Sequence, residues 1–180
     1  MKIQPSRIPR VTLLSPTRFD DARGSFRPIF AQRLHAESGI QHSWDEMNLS
    51  HTKENCIRGL HLQSPNGQAK LITVISGEIF DVAVALRPGD GFGKWESFHL
   101  SAEDPAHPSQ IYLPAGIAHG IATPAGPATI AYLVDQCWDP ESEHVLAFDD
   151  PTLAIPWPVT APELSERDRE GRPLEFFQSL

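Results

Sequence analysis

The amino-acid sequence predicts an all-β fold, a sandwich or barrel in which a jelly roll is the favoured arrangement. Three observations lead to this prediction. From residue 56 onward, short runs rich in Val, Ile, Phe and Tyr follow one another closely. Gly, Pro or Asp bounds these runs, as expected for strands joined by tight turns. The chain also contains 17 prolines among 180 residues, too many for a helix-rich protein, because proline interrupts helices.

The predicted elements divide a single domain, 1–180, into three parts. Residues 1–50 form an N-terminal arm with short strands in VTLLSPTRF and GSFRPIF, and a short helix in AQRLHAESG that ends at Gly39. Residues 56–158 form the jelly-roll core. It includes AKLITVISGEIFDVAVAL, where Ser76-Gly77 predicts a hairpin, followed by strands in WESFHLS, SQIYLPAG, AHGIATPAG and ATIAYLVDQCW. Residues 159–180 are a C-terminal segment, in which TAPELSERDREGRP is expected to form one helical turn.

Composition excludes several classes of function. The formal net charge of −8 argues against nucleic acid as a partner, although it allows a local basic pocket for a small anion. The sequence has no apolar run of membrane-spanning length and no signal-peptide pattern, so the expected location is the cytoplasm without a membrane partner. Cys56 and Cys137 form neither a disulfide framework nor a zinc pattern.

The segment CIRGLHLQ places an arginine and a histidine in an otherwise apolar strand. Regular alternation directs Arg58 and Leu60 to one face, and Gly59, His61 and Gln63 to the other. Gly59 leaves room for a ligand to approach. Arg58 needs an anionic partner if it is buried, and a bound phosphate and a structural ion pair explain it equally well. The segment is therefore a candidate pocket wall.

A second candidate lies in LPAGIAHG, whose P-x-G-x-x-H pattern resembles the second sequence motif of cupins. Cupins that bind a metal carry H-x-H in the first motif, whereas this chain has HLQ with His61 alone. A metal site needs at least three converging ligands, so the sequence predicts no metal and disfavours a metal-dependent dioxygenase. Taken singly, none of three further residues indicates a site: Lys70 is explained by a solvated strand end, Tyr132 by a core position and Asp168 by a surface position.

Together these segments resemble the dTDP-4-dehydrorhamnose 3,5-epimerase family of the cupin superfamily. The resemblance runs from about residue 10 to residue 175 and rests on DARGSF, RGLHLQ, QAKL, FDVAVALR, FGKW, LPAGIAHG, DDPTLAIPWP and LSERD, in the family's order. It implies a cupin-type double-stranded β-helix with short N-terminal strands and a few short helices. It also implies an isomerase that epimerises a nucleotide-linked 4-keto-6-deoxy sugar without a cofactor.

The implied chemistry moves protons next to a ketone. A ketone at C4 acidifies the hydrogens at C3 and C5, so removing one gives an enolate. Returning a proton to the opposite face inverts that carbon. The reaction needs a base on one face, an acid on the other and a cation near the developing oxyanion.

The resemblance assigns the proton-transfer roles residue by residue. His61 matches the catalytic base, and Asp168 matches the carboxylate that orients it and favours the imidazolium. Tyr132 matches the acid on the opposite face. Lys70 matches a lysine beside the ketone, where it stabilises the enolate.

The remaining matched residues are expected to bind the substrate. Arg23 and Arg58 match residues that bind the diphosphate, and His119 matches a pocket histidine close to the sugar. In this family the N-terminal strands complete the partner's site, so a homodimer is implied. The full set of expected substrate-binding residues is Arg23, Phe26, Asn48, Arg58, Gln63, His119, Trp138 and Glu143.

Three departures leave the exact substrate open. Pro28 stands where the family has a substrate-contacting glutamate, and EMNLS, with Leu49, replaces a Q-D-N-H-S run. Trp138 replaces a tyrosine that stacks on the nucleotide base, a role that tryptophan can also fill. The alternatives are therefore a 3-only or 5-only epimerase, a 3,4-ketoisomerase and a non-catalytic sugar-nucleotide-binding cupin.

Overall fold

The computed structural model describes residues 1–89 and 91–180. Thirteen strands dominate the described chain, together with two short α-helices and one 3₁₀ helix. The strands are β1 Lys2–Pro5, β2 Thr12–Ser15, β3 Phe19–Asp21, β4 Gly24–Phe26, β5 Glu46–Thr52, β6 Ile57–Gln63, β7 Lys70–Ser76, β8 Glu78–Ala85, β9 Trp95–Ser101, β10 Gln110–Leu113, β11 Ile117–Ala122, β12 Ala128–Val134 and β13 Glu143–Val145. The helices are α1 Gln32–Glu37, α2 Glu166–Arg169 and the 3₁₀ helix Leu174–Ser179.

The strands form two antiparallel sheets that pack face to face. The six-stranded sheet has the order β1-β2-β10-β7-β12-β5, and the five-stranded sheet has the order β13-β6-β11-β8-β9. Strands β3 and β4 pair only with each other, as a separate hairpin. The predicted all-β jelly roll is confirmed, and so are the short helices predicted in 31–39 and in 160–173.

The hairpin predicted at Ser76-Gly77 is wrong. Strand β7 pairs with β10 and β12, whereas β8 pairs with β9 and β11, so the chain crosses from one sheet to the other at this turn. Gly77 has φ +78°, and a Cβ there would lie 2.5 Å from the Pro127 carbonyl oxygen. A sharp turn between sheets therefore carries the same glycine signal as a hairpin turn.

Apolar side chains fill the space between the sheets. Val74, Ile111 and Ile130 of the six-stranded sheet pack with Ile79 and Ile121 of the five-stranded sheet in one buried cluster. A second cluster lies on the outer face of the five-stranded sheet and includes residues of the C-terminal segment. Burial of these two layers is the main contribution to folding, because the free energy scales with the apolar area removed from water.

The N-terminal arm is part of the sheet structure. Strand β2 pairs with β10, and β5 forms the edge of the six-stranded sheet beside β12. The expected boundary at residue 50 therefore falls inside β5. Among the described residues, no helix is long and apolar enough to cross a lipid bilayer.

A β-bulge in β6 changes the faces predicted from regular alternation. His61 is paired with His119, and Arg58 is paired with Ile121, so two residues of β6 lie opposite Gly120 alone. An extra residue reverses the alternation beyond it. Arg58 and His61 consequently line the same cavity, contrary to the opposite faces expected from the sequence.

Gly59 lies within this bulge and is required by its geometry. Its φ is +107°, and a Cβ would lie 2.5 Å from the His119 carbonyl oxygen and 2.7 Å from the Gly120 Cα. Both contacts are with backbone atoms, which cannot rotate away. The close approach of β6 to β11 therefore depends on a residue without a side chain.

We expect Gly59→Ala to reduce the free energy of unfolding by about 3–4 kcal/mol, through backbone strain and overpacking together. Gly126→Ala is the matched control, because Gly126 has φ +131° but nothing within 4 Å of an added Cβ. Strain alone should cost that variant about 1–2 kcal/mol. Urea unfolding followed by circular dichroism measures the free energy of unfolding of both variants. An equal decrease in the two variants would contradict the role of close packing at Gly59.

Candidate active site

A cavity of about 460 Å³ opens between the two sheets, where polar side chains replace the apolar core. Its lining comes from both sheets and from the C-terminal segment. The residues are Glu46, Asn48, Ser50, Arg58, His61, Gln68, Lys70, Ile72, His119, Ile121, Ile130, Tyr132, Val134, Trp138, Glu143 and Arg167. Most of the residues singled out from the sequence are therefore gathered at one place.

His61 and Asp168 form a close pair at this cavity. His61 Nε2 lies 2.6 Å from Asp168 Oδ1, although 107 residues separate them in the chain. Asp168 is only 4% exposed, and its backbone N–H donates to the Ser165 hydroxyl, which caps α2. The turn of α2 thus holds the carboxylate behind the imidazole. Because Nε2 faces Asp168, the Nδ1 atom is the nitrogen left for a ligand.

Asp168 is held in its ionised form. Burial opposes its ionisation, but the hydrogen bond and the charge of His61, with further bonds from Ser165 and Gly59, have the larger combined effect. The pKa of Asp168 therefore lies below its ordinary value. An ionised aspartate on Nε2 fixes the tautomer and the orientation of the His61 ring.

A second imidazole–carboxylate pair lies beside the first. His119 on β11 is directly opposite His61 on β6, and its Nε2 lies 2.7 Å from Asp81 Oδ2. Asp81 is fully buried, and His119 is 9% exposed. The five-stranded sheet thus directs two oriented imidazoles toward one cavity.

The opposite wall carries a phenol and an amine. Tyr132 on β12 and Lys70 on β7 belong to the six-stranded sheet, which faces the sheet of His61. Burial lowers the pKa of Lys70, and the nearby charge of Glu143 partly opposes that shift. The cavity therefore has two imidazoles on one wall, and a phenol and an amine on the wall opposite.

Arg58 is anchored at one end of the cavity. Its Nε donates to the Thr52 hydroxyl at 2.8 Å, and its Nη2 donates to the His51 carbonyl oxygen at 3.3 Å. Both acceptors are neutral, so the positive charge has no carboxylate partner among the described residues. The guanidinium is held in place with its charge available to an anion.

Glu143 links the rim of the cavity to α2. Its carboxylate accepts a hydrogen bond from Trp138 Nε1 and forms an ion pair with Arg167. Burial opposes the ionisation of Glu143, but Arg167, Trp138 and the charge of His61 together lower its pKa. Trp138 is exposed and lies at the rim, where a flat ligand can stack on its indole.

Besides Asp168, which lies behind His61, three residues named from the sequence lie outside this cavity. Gln63 is buried; its amide donates to the Asn66 carbonyl oxygen and accepts from the Asp139 N–H, so it supports a loop. Arg23 and Phe26 are exposed on the β3–β4 hairpin, and Arg23 forms an ion pair with Asp21. These two do not line the cavity of their own chain.

Sequence reasoning missed four polar residues of the cavity. Glu46 and Ser50 alternate with Asn48 along β5, a pattern that would have indicated them once β5 was recognised as a strand. Arg167 precedes Asp168 in LSERD, and Gln68 begins QAKL. Within residues 1–89 and 91–180, no group of three or more His, Cys, Asp or Glu side chains converges as a metal site would require.

Comparison with known proteins places this geometry in a family. The profile of the dTDP-4-dehydrorhamnose 3,5-epimerase family matches residues 5–175. The Pseudomonas aeruginosa protein of that name is 41% identical over 175 residues, covering 96% of this chain and 95% of its own. The Neisseria gonorrhoeae protein is 38% identical over 96% of this chain, but the chain spans only 52% of that relative's length.

A solved structure shows the same fold. The chain superposes with a TM-score of 0.91 on dTDP-6-deoxy-D-glucose-3,5-epimerase from Legionella pneumophila, which was crystallised with dTDP-4-keto-L-rhamnose. The two are 34% identical, and the match covers 97% of this chain and 93% of the other. Fold and cavity together define the class, which is a carbohydrate epimerase built on a cupin jelly roll. The chain belongs to the dTDP-4-dehydrorhamnose 3,5-epimerase family, which confirms the resemblance seen in the motifs.

The His61–Asp168 pair predicts a pH-dependent contribution to stability. Because the folded pKa of Asp168 is lowered, its ionised form stabilises the fold above the unfolded pKa, and this contribution is lost as pH falls through the folded pKa. We expect Asp168→Asn to cost about 1–3 kcal/mol at pH 7, where a hydrogen bond to a charged group is lost. The difference from wild type should shrink below about pH 4.

Urea unfolding between pH 3 and pH 7 tests this expectation. Asp149→Asn is the control, because Asp149 is an exposed carboxylate away from the cavity. The free energy of unfolding of Asp149→Asn should differ little from that of wild type at every pH. A cost for Asp168→Asn that stays constant from pH 7 to pH 3 would show that the carboxylate charge is not what stabilises the fold.

Proposed function

We propose that this protein epimerises dTDP-4-dehydro-6-deoxyglucose at C3 and C5. The observation that carries the proposal is the His61–Asp168 pair on one wall of the cavity, with Tyr132 on the wall opposite. Inversion of a carbon next to a ketone needs a base on one face of the sugar and an acid on the other. Two facing sheets separated by a substrate-sized gap meet that requirement.

In the first step, Nδ1 of neutral His61 removes the proton from C3 or C5. The electron pair of the broken C–H bond moves onto the C4 ketone and gives an enolate. Asp168 stabilises the imidazolium that forms, because its carboxylate accepts the Nε2–H at 2.6 Å. His119, oriented in the same way by Asp81, lies next to His61 and contacts the sugar from the same wall.

Lys70 stabilises the enolate oxygen. It lines the cavity beside Tyr132 on the six-stranded sheet, and in a partly buried site its ammonium interacts with a developing negative charge more strongly than it would in water. Its lowered pKa makes the Lys70 ammonium more acidic and so a better hydrogen-bond donor to that oxygen. The steps transfer protons only, so no electron leaves the substrate.

Tyr132 completes the inversion. Its phenol gives a proton to the carbon from the face opposite His61, and the enolate returns to a ketone. His61 then carries the removed proton and Tyr132 has lost one, so exchange with solvent restores both groups before the next carbon is inverted. This exchange makes the reaction visible in deuterated water.

The substrate's nucleotide lies toward the rim of the cavity in this proposal. Arg58 binds the diphosphate, because its guanidinium is oriented and has no carboxylate partner in the described chain. Trp138 stacks on the base, and Glu143 holds the indole through its N–H. Asn48 lines the wall beside Tyr132, with which it is paired in register.

The functional unit in this proposal is a homodimer to which the 1–50 arm contributes. Strand β5 is an edge strand with Met47 and Leu49 exposed on its outer face, and the nearby apolar groove contains Phe30 and Leu133. An exposed edge strand and an uncovered apolar surface both favour association. The β3–β4 hairpin would bring Arg23 and Phe26 to the partner's cavity. The cytoplasmic location stays a prediction.

Proton NMR of dTDP-4-keto-6-deoxyglucose in deuterated water tests the reaction. With wild-type protein, the sugar should incorporate deuterium at C3 and C5. His61→Asn should reduce the rate of this incorporation at least 1,000-fold, because the proposed base is gone. Tyr132→Phe should slow epimerisation more than exchange, since abstraction uses the opposite wall. His99→Asn, at an exposed histidine outside the cavity, is the control and should behave as wild type.

The same spectra separate the alternatives. Label at one carbon identifies a 3-only or 5-only epimerase, and a 3-keto product identifies a ketoisomerase. Binding of the nucleotide sugar without any exchange identifies a non-catalytic binding protein. Normal exchange in His61→Asn would remove His61 as the base.

We expect Leu49→Lys to convert the dimer to monomers, because a charge replaces an apolar contact, as sedimentation velocity would measure. Ile3→Lys is the control on β1, at the other edge of the same sheet.

Arg23→Ala should raise KM and leave kcat nearly unchanged. When subunits of Arg23→Ala and His61→Asn are mixed and assayed at a substrate concentration far below the KM of Arg23→Ala, where each variant alone has little activity, about one quarter of wild-type activity should return, because half the dimers carry one complete shared site. No recovery would mean that Arg23 does not act across the dimer.

A further inference from the structure

Three hydrogen-bonded side chains lie on the outer face of the six-stranded sheet, the face turned away from the cavity. His42 Nδ1 lies 3.0 Å from Asp135 Oδ2, and His42 Nε2 lies 2.6 Å from the Tyr112 hydroxyl. Tyr112 alternates along β10 with Ile111 and Leu113, which face the core between the sheets. This Asp135–His42–Tyr112 network therefore ties the segment before β5 to two parts of the sheet, and the proposed proton transfers do not use it.

The direction of the hydrogen bonds follows from the two ends of the network. A carboxylate only accepts hydrogen bonds, so His42 Nδ1 carries the hydrogen and donates it to Asp135. Nε2 is then the acceptor for the Tyr112 O–H. Tyr112 is 4% exposed, and burial raises its pKa, so it remains a phenol that can donate. Both nitrogens of the imidazole have partners, which fixes the ring in one tautomer and one orientation.

Aromatic packing supports the same arrangement. Tyr112 belongs to a buried apolar cluster on this face, and Trp44 packs against that cluster. The centroid of the His42 ring lies 5.3 Å from that of Trp44 and 5.5 Å from that of Tyr112. The side chains of His42 and Asp135 are 23% and 17% exposed. Because water has little access to these groups, their hydrogen bonds hold the geometry more firmly than surface bonds would.

Asp135 connects the network to the start of β7. Its Oδ1 accepts the Ala69 N–H at 2.7 Å, and its own backbone N–H donates to the Ala69 carbonyl oxygen at 3.3 Å. The next residue, Lys70, begins β7 and is paired in register with Val134. Successive residues of a strand face opposite sides of the sheet, so the residue that follows this outer support directs its side chain into the cavity.

We propose that Asp135, oriented by His42 and Tyr112, is a positioning residue that holds the Lys70 amine at its place in the cavity. The inference rests on the proposed function, in which Lys70 stabilises the enolate oxygen. Such stabilisation needs a donor that is already in place when the charge develops. A displacement of about 1 Å in a reacting group can lower the rate about 100-fold. Asp135 does not touch the substrate in this proposal and acts through the backbone of β7.

Epimerisation kinetics of Asp135 variants test the proposal. Asp135→Ala removes the side-chain bonds to Ala69 and to His42. It should lower kcat about ten- to 100-fold with little change in KM, because Lys70 acts on the enolate more than on the bound ketone. Asp135→Asn keeps an oxygen that can accept the Ala69 N–H, so it should recover most of the kcat that Asp135→Ala loses.

Two further variants separate positioning from stability. Ser101→Ala is the matched control, because the buried Ser101 hydroxyl oxygen also accepts two backbone N–H groups but lies outside the main cavity. Its kcat should equal that of wild type. Tyr112→Phe removes only the far hydroxyl and should lower kcat about three-fold. It should have no further effect in His42→Ala, because its influence passes through the imidazole.

Titration of Lys70, followed by NMR of isotopically methylated lysines, reports the position of the amine without turnover. Burial lowers the pKa of Lys70, and the charge of Glu143 partly opposes that shift. An amine displaced toward solvent should titrate closer to its ordinary value. The pKa of Lys70 should therefore rise in Asp135→Ala and keep its wild-type value in Ser101→Ala.

These measurements distinguish failure of the inference from failure of the proposed reaction. A wild-type kcat and an unchanged Lys70 pKa in Asp135→Ala would overturn the inference, and so would an equal fall of kcat in Ser101→Ala. If Asp135→Ala does not fold, the same two measurements on Tyr112→Phe decide. A raised Lys70 pKa with wild-type kcat would support the positioning and remove Lys70 from the reaction. If the wild type shows no deuterium exchange, the proposed reaction is refuted, and the Lys70 titration still decides whether Asp135 holds the amine.

Discussion

The site depends on the extra residue that strand β6 accommodates between Arg58 and His61. A regular strand would direct these two side chains to opposite faces, so the guanidinium and the imidazole could not share a cavity. The bulge opposite Gly120 brings them to the same side, and Gly59 allows it because its Cα approaches the backbone of β11 too closely for any side chain. The positions of His119, which is paired with His61, and of Asp168, which is bonded to it, follow from this one irregularity.

The two sheets contribute different chemistry to the cavity. The five-stranded sheet provides His61 and His119, and a buried aspartate orients each imidazole through a hydrogen bond. The six-stranded sheet provides Tyr132, Lys70 and the polar residues of β5. In the proposed reaction, a sugar ring between the sheets would meet a base on one side and a proton donor on the other, so the sandwich architecture itself would supply the two faces that inversion needs.

Local patterns in the sequence predicted the fold and much of the site, and long-range structure accounts for the rest. Strand runs and turn residues indicated the jelly roll, because alternation and proline content are local properties. Motif order indicated His61, Lys70, Tyr132 and Asp168. The bulge was not predicted, because Gly59 in a strand has several explanations. Gln63 was named as a substrate-binding residue and lies outside the cavity of its own chain, because a polar residue can support a loop as well as line a pocket. The Ser76-Gly77 turn shows that a glycine predicts a sharp turn but does not predict whether the two flanking strands pair with each other.

Strand β5 presents two independent sets of side chains to two different surroundings. Positions 46, 48 and 50 face the cavity, and positions 47, 49 and 51 face away from it. Neighbouring residues of β5 therefore meet different physical requirements, the inner set from the cavity and the outer set from the surface of the sheet. A substitution at one position of this seven-residue segment can therefore alter the outer surface and leave the cavity wall intact, and a substitution at the next position can do the reverse.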